Sequence, residues 1–114
     1  MITIYHNPRC SKSRQGLALL EASGKDFKTI TYLKELLTKE ELTLIIEKLR
    51  LEPIDVIRKN EQIWKENYKG KSLSNEEIIE IMLENPKLIE RPIVSNNDRA
   101  VIGRPTEKIH TILS

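Results

Sequence analysis

The segment "YHNPRCSKSR", residues 5–14, marks a change from strand-like to helix-like sequence. It continues "ITIY" at residues 2–5, whose β-branched and aromatic side chains predict a strand, and its Asn-Pro pair predicts a turn. After Cys10 the apolar residues recur at helical spacing, which predicts a helix from near Ser11 to just before Gly24. The one cysteine of the chain therefore lies between the end of a strand and the start of a helix.

The next part of the chain completes a β-α-β unit and is followed by a long segment with helical patterns only. "FKTITY", residues 27–32, alternates apolar and polar side chains and predicts a second strand. Residues 36–85 indicate helices without a strand, because they contain two capping boxes, each followed by an apolar stripe. These boxes are Thr38-x-x-Glu41 and Ser74-x-x-Glu77.

Strand signals return near the end of the chain. In "RPIVSNNDRAVIGRP", residues 91–105, two short apolar runs flank "SNND", which predicts a β-hairpin. Pro105 suits the first turn of a last helix that carries Ile109, Ile112 and Leu113. The order β-α-β, helical block, β-β-α predicts an α/β fold, with a mixed four-stranded sheet and flanking helices. A length of 114 residues predicts one domain, residues 1–114.

Composition and charge narrow the class of protein. Apolar residues make up 39% and charged residues 32% of the chain, a balance typical of folded soluble proteins. Its nineteen basic and seventeen acidic residues are interleaved, which argues against a nucleic-acid surface. No apolar run is long enough to cross a bilayer or to form the core of a signal peptide. We therefore expect a cytoplasmic protein that binds neither membrane nor nucleic acid, and a monomer, because no long apolar surface stripe is left over.

The position of Cys10 has a chemical consequence. The free N–H groups and the dipole of a helix N-terminus favour negative charge, and Arg9, Lys12 and Arg14 act in the same direction. A cysteine with a pKa of ~8.5 is only about 3% thiolate at neutral pH, and a two-unit decrease makes it roughly three-quarters thiolate. The same features would hold an oxyanion beside the sulfur.

Simpler interpretations compete with a reactive thiol. Lone cysteines are most often small buried apolar residues, but the polar neighbours of Cys10 favour reactivity. His6 fits a general base, a hydrogen-bond partner of the thiol, or a cap of the strand-to-turn junction. Two histidines and one cysteine scattered along the chain predict no metal site. Three residues separate Cys10 from Arg14, too few for the phosphate loop of a thiol phosphatase.

The segment "HNPRCSKSR" resembles the His-x3-Cys-x3-Arg motif of glutaredoxin-linked arsenate reductases, a branch of the thioredoxin-like superfamily. The resemblance extends to "IRKN", "ERPIV" and "IGRP" and so spans nearly the whole chain. It implies a thioredoxin-like fold, into which the helical block of about residues 36–85 is inserted.

The resemblance also implies roles for individual residues. Cys10 matches the nucleophile that attacks arsenate and forms a cysteinyl-arsenate intermediate, and His6 and Arg14 match positions that tune and support the thiolate. Pro92 matches the cis-proline of the superfamily, which lies beside the nucleophile. Arginine presents a planar fork of donors that suits a tetrahedral oxyanion. The arginines that match the family's oxyanion ligands are Arg58, Arg91 and Arg104.

By the same resemblance, glutathione attacks the arsenic adduct, glutaredoxin resolves the mixed disulfide, and arsenite is released. No tightly bound cofactor is required, and glutathione is a co-substrate. A single cysteine fits this route, because thioredoxin-coupled reductases need resolving thiols in their own chain.

Two alternatives remain open. Well-characterised members of the family have Gly-Thr-Ser after the cysteine, whereas this chain has Ser11-Lys12-Ser13, so a thiol reductase with another substrate is one of them. The other is a transcription regulator of the Spx type, which shares the fold and binds RNA polymerase. Those regulators usually carry a Cys-x-x-Cys switch, but position 13 here is serine.

Overall fold

The strands of this protein, seen in a computed structural model that describes residues 1–113, form one sheet in the order β2-β1-β3-β4. Strand β1 pairs in parallel with β2 and antiparallel with β3, and β3 pairs antiparallel with β4. The sheet is therefore mixed and four-stranded, as the sequence predicts. Its strands are β1 (Ile2–Tyr5), β2 (Phe27–Ile30), β3 (Ile93–Asn96) and β4 (Arg99–Ile102).

Local sequence explains how the chain enters and leaves each element of the sheet. Helix α1 (Ser11–Ser23) connects the parallel strands and ends at Gly24, whose φ of 74° is the left-handed conformation that glycine adopts without strain. The β3–β4 hairpin turns through Asn97, which also has a positive φ, of 57°. Asparagine tolerates this conformation better than most residues, so the "SNND" signal has a direct structural basis.

The sheet buries its apolar face together with α1 and the last segment of the chain. Leu20 of α1 is fully buried, as is Ile109 near the C-terminus. Burial alternates along β1, as expected for a strand with one buried face, whereas Ile93, Val94 and Ser95 of β3 are all buried. The buried members of this core are Ile2, Ile4, Leu20, Val94, Ile109, Ile112 and Leu113.

A second compact unit, Leu36–Glu90, is helical, whereas the first contains Met1–Glu35 and the chain from Arg91 onward. Both predicted capping boxes form, at Thr38 with Glu41 and at Ser74 with Glu77. An isolated antiparallel bridge joins Ile57 to Ile89. The helices of this unit are α2 (Lys39–Leu49), α3 (Gln62–Asn67), α4 (Asn75–Glu84) and the 3-10 segments Pro53–Val56 and Pro86–Leu88.

The predicted boundaries differ from the structure in two places. Strand β2 ends at Ile30 instead of residue 32, because the carbonyl of Thr31 accepts hydrogen bonds from Lys34 and Glu35 and starts a turn. The last helix is a 3-10 helix, Thr106–Ile112, and Pro105 precedes it as the N-cap. The description of residues 1–114 as one domain with an insertion stays a prediction. Within residues 1–113, no helix is long and apolar enough to span a membrane.

Candidate functional site

Cys10 is the N-cap residue of α1, with an extended backbone (φ −97°, ψ 122°), and its side chain is partly exposed. The turn before it is held by Asn7, whose carbonyl accepts the N–H of Cys10 at 3.0 Å and whose Oδ1 accepts the N–H of Arg9 at 3.0 Å. The helix begins where Arg14 N–H donates to the carbonyl of Cys10, at 3.0 Å. The Asn7-Pro8 turn thus places the thiol at the start of the helix.

Strand pairing brings two distant arginines to the same end of the sheet. Tyr5 at the end of β1 pairs with Ile93 at the start of β3, and Ile93 pairs with Ile102 at the end of β4. Arg91 lies just before β3 and Arg104 just after β4, so both lie near the carboxyl end of β1. The loop that carries the thiol, residues 6–10, begins at this end and is called the thiol loop below.

Arg104 contacts the thiol directly. Its Nη2 donates to Sγ of Cys10 at 3.3 Å, and its Nε donates to the carbonyl of Arg91 at 2.7 Å. The second bond fixes the orientation of the guanidinium, because a planar group held at one nitrogen presents the others in a defined direction. The arginine and the thiol are thus held together although 94 positions separate them in the sequence.

The surroundings of Cys10 stabilise its thiolate. Burial disfavours the charged form, but a hydrogen bond and the charge of Arg91, together with the backbone N–H groups of Ser13 and Lys12, outweigh this and lower the pKa of Cys10 to about 7. The two N–H groups lie in the first turn of α1, where the free donors of a helix N-terminus favour a negative charge. About half of the thiol is then ionised at neutral pH.

Ser13 holds a buried hydrogen-bond network under the thiol loop. Its fully buried Oγ accepts the N–H of Asn7 at 2.9 Å and lies 2.7 Å from Nδ1 of His6. Burial lowers the pKa of His6, the backbone of Ser13 opposes this shift, and the charge of Arg14 adds to it. The lowered pKa favours the neutral imidazole, and its hydrogen bond with Ser13 connects it to the loop.

Arg14 also contacts this loop. Its Nη1 donates to the carbonyl of Pro8 at 2.9 Å, across the turn that precedes Cys10. The side chain is exposed, so its charge faces solvent as well as the loop. Arg14 therefore stabilises the backbone of this turn through its hydrogen bond to Pro8.

Pro92 packs tightly against Gly16 of α1 and Gly103 after β4, and the Arg91–Pro92 peptide is cis, as is Arg104–Pro105. A Cβ placed on Gly16 would lie 2.9 Å from Cγ of Pro92, and one on Gly103 would lie 3.0 Å from the same atom. Both glycines are therefore required by close approach to the proline ring. The carbonyl of Pro92 accepts the N–H of Gly103 at 2.8 Å, and this hydrogen bond holds the two residues together.

Arg58 belongs to the helical unit and has different partners. Its Nε lies 3.7 Å from Oε2 of Glu61 and 4.0 Å from Oε1 of Glu90, and its backbone N–H donates to Leu88. The charge of Arg58 is thus balanced by two carboxylates within its own unit. Its predicted role in binding an oxyanion stays a prediction.

The predicted residues of the first unit gather at one end of the sheet: Cys10 with Arg91 and Arg104, and His6 and Arg14 around the same loop. Sequence reasoning missed Ser13 as the centre of the buried network, and it missed the two glycines at the proline. A polar residue at helical spacing from the buried Leu20 and Gly16 was the signal for Ser13. Within residues 1–113, no cluster of three or more histidine, cysteine or acidic residues could hold a metal ion.

Comparisons with known proteins identify the family of this chain. The model of the ArsC family matches residues 5–112. A protein described as arsenate reductase from Haemophilus influenzae is 41% identical over 98% of each chain, and the uncharacterized protein YfgD of Escherichia coli is 41% identical over 98% of this chain and 96% of its own.

A solved structure of a relative has the same fold as this chain. The arsenate reductase from Vibrio cholerae superposes with a TM-score of 0.94 and 46% identity, over 98% of this chain and 97% of that one. The thioredoxin-like fold expected from the sequence is therefore confirmed. On its sequence, its fold and the match over nearly its whole length, the chain belongs to the ArsC family.

Proposed function

We propose that this protein is an arsenate reductase that uses glutathione and glutaredoxin as electron donors. The observation that carries the proposal is the partly exposed Cys10, whose pKa is lowered to about 7 and whose sulfur accepts a hydrogen bond from Arg104 beside Arg91. A nucleophile and two cations at one place are what attack on a small oxyanion requires. Relatives described as arsenate reductases, 41% and 46% identical, support arsenate as that oxyanion.

In the first step the thiolate of Cys10 attacks arsenic. A bond forms between Sγ and arsenic, one arsenate hydroxyl takes a proton from solvent and leaves as water, and arsenic stays pentavalent. Arg91 and Arg104 balance the charge on the arsenate oxygens in this proposal, because guanidinium groups donate in pairs to tetrahedral anions. Their fixed placement lowers the cost of reorganisation during attack.

In the second step glutathione supplies a thiolate that attacks Sγ of the adduct. The Sγ–As bond breaks and its electron pair stays on arsenic, which becomes trivalent and leaves as arsenite. The two sulfur atoms lose two electrons in total and form a mixed disulfide. A thiolate of glutaredoxin then attacks the sulfur of glutathione and returns Cys10 to its starting state.

The single cysteine of the chain suits this external route, because no second thiol is available to resolve an intermediate within the chain. A reducing cytoplasm, which supplies glutathione and keeps a lone thiol reduced, is the compartment we propose. The contacts at the thiol all come from one copy of this chain, so we propose a monomer. His6 and Arg14 serve as positioning residues here, through Ser13 and the carbonyl of Pro8 respectively.

Arg58 is proposed to bind arsenate as the third arginine of the family pattern. Glu61 and Glu90 hold its guanidinium through Nε, which leaves donors on the terminal nitrogens for an anion. We propose a substrate-binding role for it and no role in activating the thiol.

A coupled assay tests the proposal. Arsenate, glutathione and glutaredoxin are supplied with glutathione reductase and NADPH, and NADPH oxidation and arsenite are both measured. We expect turnover by the wild type and none by Cys10→Ser, with a Cys10–glutathione disulfide detected by mass spectrometry in the wild type. Circular dichroism of Cys10→Ser checks that it folds. Absence of wild-type turnover with several glutaredoxins rejects the function, and reduction of a glutathionylated peptide without arsenate turnover supports a thiol reductase instead.

A further inference from the structure

A cavity of about 310 Å³ opens beside the thiol loop in the first unit. Small-molecule sites span roughly 300 to 1,000 Å³, so this one has room for a small ligand. Its lining comes from two segments that are distant in sequence. The lining residues are Asn7, Pro8, Arg9, Thr31, Leu33 and Lys34.

The topology of the sheet explains why a cavity forms there. Strands β1 and β2 run in parallel, and their pairing ends where His6 N–H donates to the carbonyl of Ile30 at 2.8 Å. Beyond that bond one chain enters the Asn7 turn and the other enters the turn closed by Thr31. Ligands of open α/β sheets bind in such crevices, outside the carboxyl ends of the strands.

The charge of the cavity selects an anionic ligand. Arg9 and Lys34 are exposed, and neither head group belongs to an ion pair among residues 1–113. The other lining side chains are polar or apolar and none is acidic. A cavity along α2 differs in this respect, because Glu40 and Glu47 line it together with Lys39.

The cavity also adjoins the reactive cysteine. Arg9 directly precedes Cys10, and the carbonyl of Asn7, which lines the cavity, accepts the N–H of Cys10. A ligand seated there would contact Arg9, the residue before Cys10, and neither Arg91 nor Arg104 lines the cavity. The second reactant of a two-substrate thiol reaction needs such a neighbouring position.

We infer that this cavity binds the thiol co-substrate, a small peptide thiol with carboxylates of the class of glutathione, and that Arg9 and Lys34 bind its carboxylates. The inference rests on the proposed function for the reaction that follows binding. Thr31 and Asn7 supply polar groups for the peptide backbone, and Pro8 and Leu33 supply apolar contact. Arsenate is left to Arg91 and Arg104, which do not line the cavity.

Binding is measured without chemistry by titrating S-methylglutathione, which has no free thiol, into the protein and following the amide NMR signals. We expect shifts in residues 7–9 and 31–34, and an affinity reduced about fivefold or more in Arg9→Glu and in Lys34→Glu, because each reversal replaces attraction with repulsion. Lys25→Glu is the matched control: it makes the same charge change at the other end of β2, and we expect unchanged affinity. Arg9→Gln and Lys34→Gln remove the charge alone and serve if a reversal disturbs folding.

Steady-state kinetics give a second measurement. The glutathione concentration for half-maximal rate should rise about fivefold or more in Lys34→Glu, while the arsenate concentration for half-maximal rate stays the same. The wild type should prefer glutathione over its diethyl ester, whose carboxylates are masked, and Lys34→Glu should lose that preference. A merely structural role for Lys34 would not change this preference.

The two proposals fail in different ways. Wild-type turnover with an unchanged glutathione dependence in the variants would overturn the cavity as the donor site and leave the reductase function intact. Binding of S-methylglutathione that is weakened by the reversals, without any arsenate turnover, would support the site and reject the reductase function. Signals that shift elsewhere, with equal affinity in wild type and variants, would overturn the inference.

Discussion

Arg104 and Arg58 are both semi-buried arginines, but they have opposite surroundings. Arg104 donates to a sulfur and to a backbone carbonyl, whereas Arg58 lies between two glutamates. The charge of Arg104 is therefore directed at a group that gains charge when it ionises, and the charge of Arg58 is already balanced. Two arginines that match the family pattern therefore differ in their partners: Arg104 contacts the thiol, and Arg58 contacts carboxylates of its own unit.

The two units differ in the same way in what holds them together. In the helical unit, capping boxes act between residues three positions apart. In the sheet unit, contacts at the thiol join residues that strand pairing brings together from both ends of the chain. Changes to the thiol contacts of the sheet unit should therefore alter chemistry, and changes to the caps of the helical unit should alter stability alone.

The largest expected effect follows from removing a cation at the thiol. Arg91→Ala and Arg104→Ala should each raise the pKa of Cys10 above its present value of about 7, because the thiolate loses a donor and a positive charge. Turnover should fall about 10² to 10³-fold, the range seen when one preorganised donor is removed. The rate of alkylation by iodoacetamide as a function of pH measures the pKa directly.

The loss of an arginine should affect the alkylation rate of Cys10 most at neutral pH. A raised pKa means less thiolate at pH 7, so alkylation at pH 7 slows in the variants and recovers at pH 9. Arg58→Ala is the companion variant, and we expect it to leave the Cys10 pKa near 7 while raising the arsenate concentration for half-maximal rate. A shift of the Cys10 pKa in Arg58→Ala would break the distinction between the two arginines.

A smaller effect is expected from Ser13→Ala. The substitution leaves the N–H of Asn7 and the Nδ1 of His6 without their partner in a buried site, at a cost of about 1–3 kcal/mol in the free energy of unfolding. Urea denaturation measures this cost. Ser11→Ala removes an exposed hydroxyl two residues earlier and should change stability by less than about 0.5 kcal/mol. Equal stabilities of the two variants would contradict a structural role for the network.

Gly16→Ala tests the packing around Pro92. The new Cβ would lie 2.9 Å from a proline ring atom, and overpacking of this kind costs about 1–3 kcal/mol. The higher helix propensity of alanine returns up to about 1 kcal/mol, so we expect a net loss of about 1 kcal/mol. Thermal unfolding measures the loss. An increase in stability would show that Pro92 moves freely, which would contradict its tight packing.

Much of the fold follows from local patterns, because caps, turns and periodicity act within a few residues. The first strand, α1 with its stop at Gly24, both capping boxes and the hairpin were predicted on that basis. The 3-10 character of the last segment was missed, since an apolar spacing of three residues between Ile109 and Ile112 fits either helix.

The site was less accessible to such reasoning. Cys10 was identified from its own neighbours. The position of Arg91 and Arg104 near the thiol depends on pairing between β1, β3 and β4, which single-sequence patterns do not encode. The family resemblance supplied those residues. The close approach of Gly16 and Gly103 to Pro92 depends on side-chain packing, which neither the patterns nor the resemblance describes.

The smallest expected effect comes from Thr38→Ala in the helical unit. It removes the side-chain acceptor for Glu41 N–H, 3.1 Å away, from the start of α2, and loss of an N-cap costs about 1 kcal/mol. Lys39, at the next position, pairs with Glu76 across helices and should keep that pair, so the loss is confined to the cap. Denaturant unfolding measures the cost, and the alkylation profile of Cys10 should still give a pKa near 7. If the variant shifted that pKa, the thiol would depend on the helical unit, and the division between local stability and distant chemistry would fail.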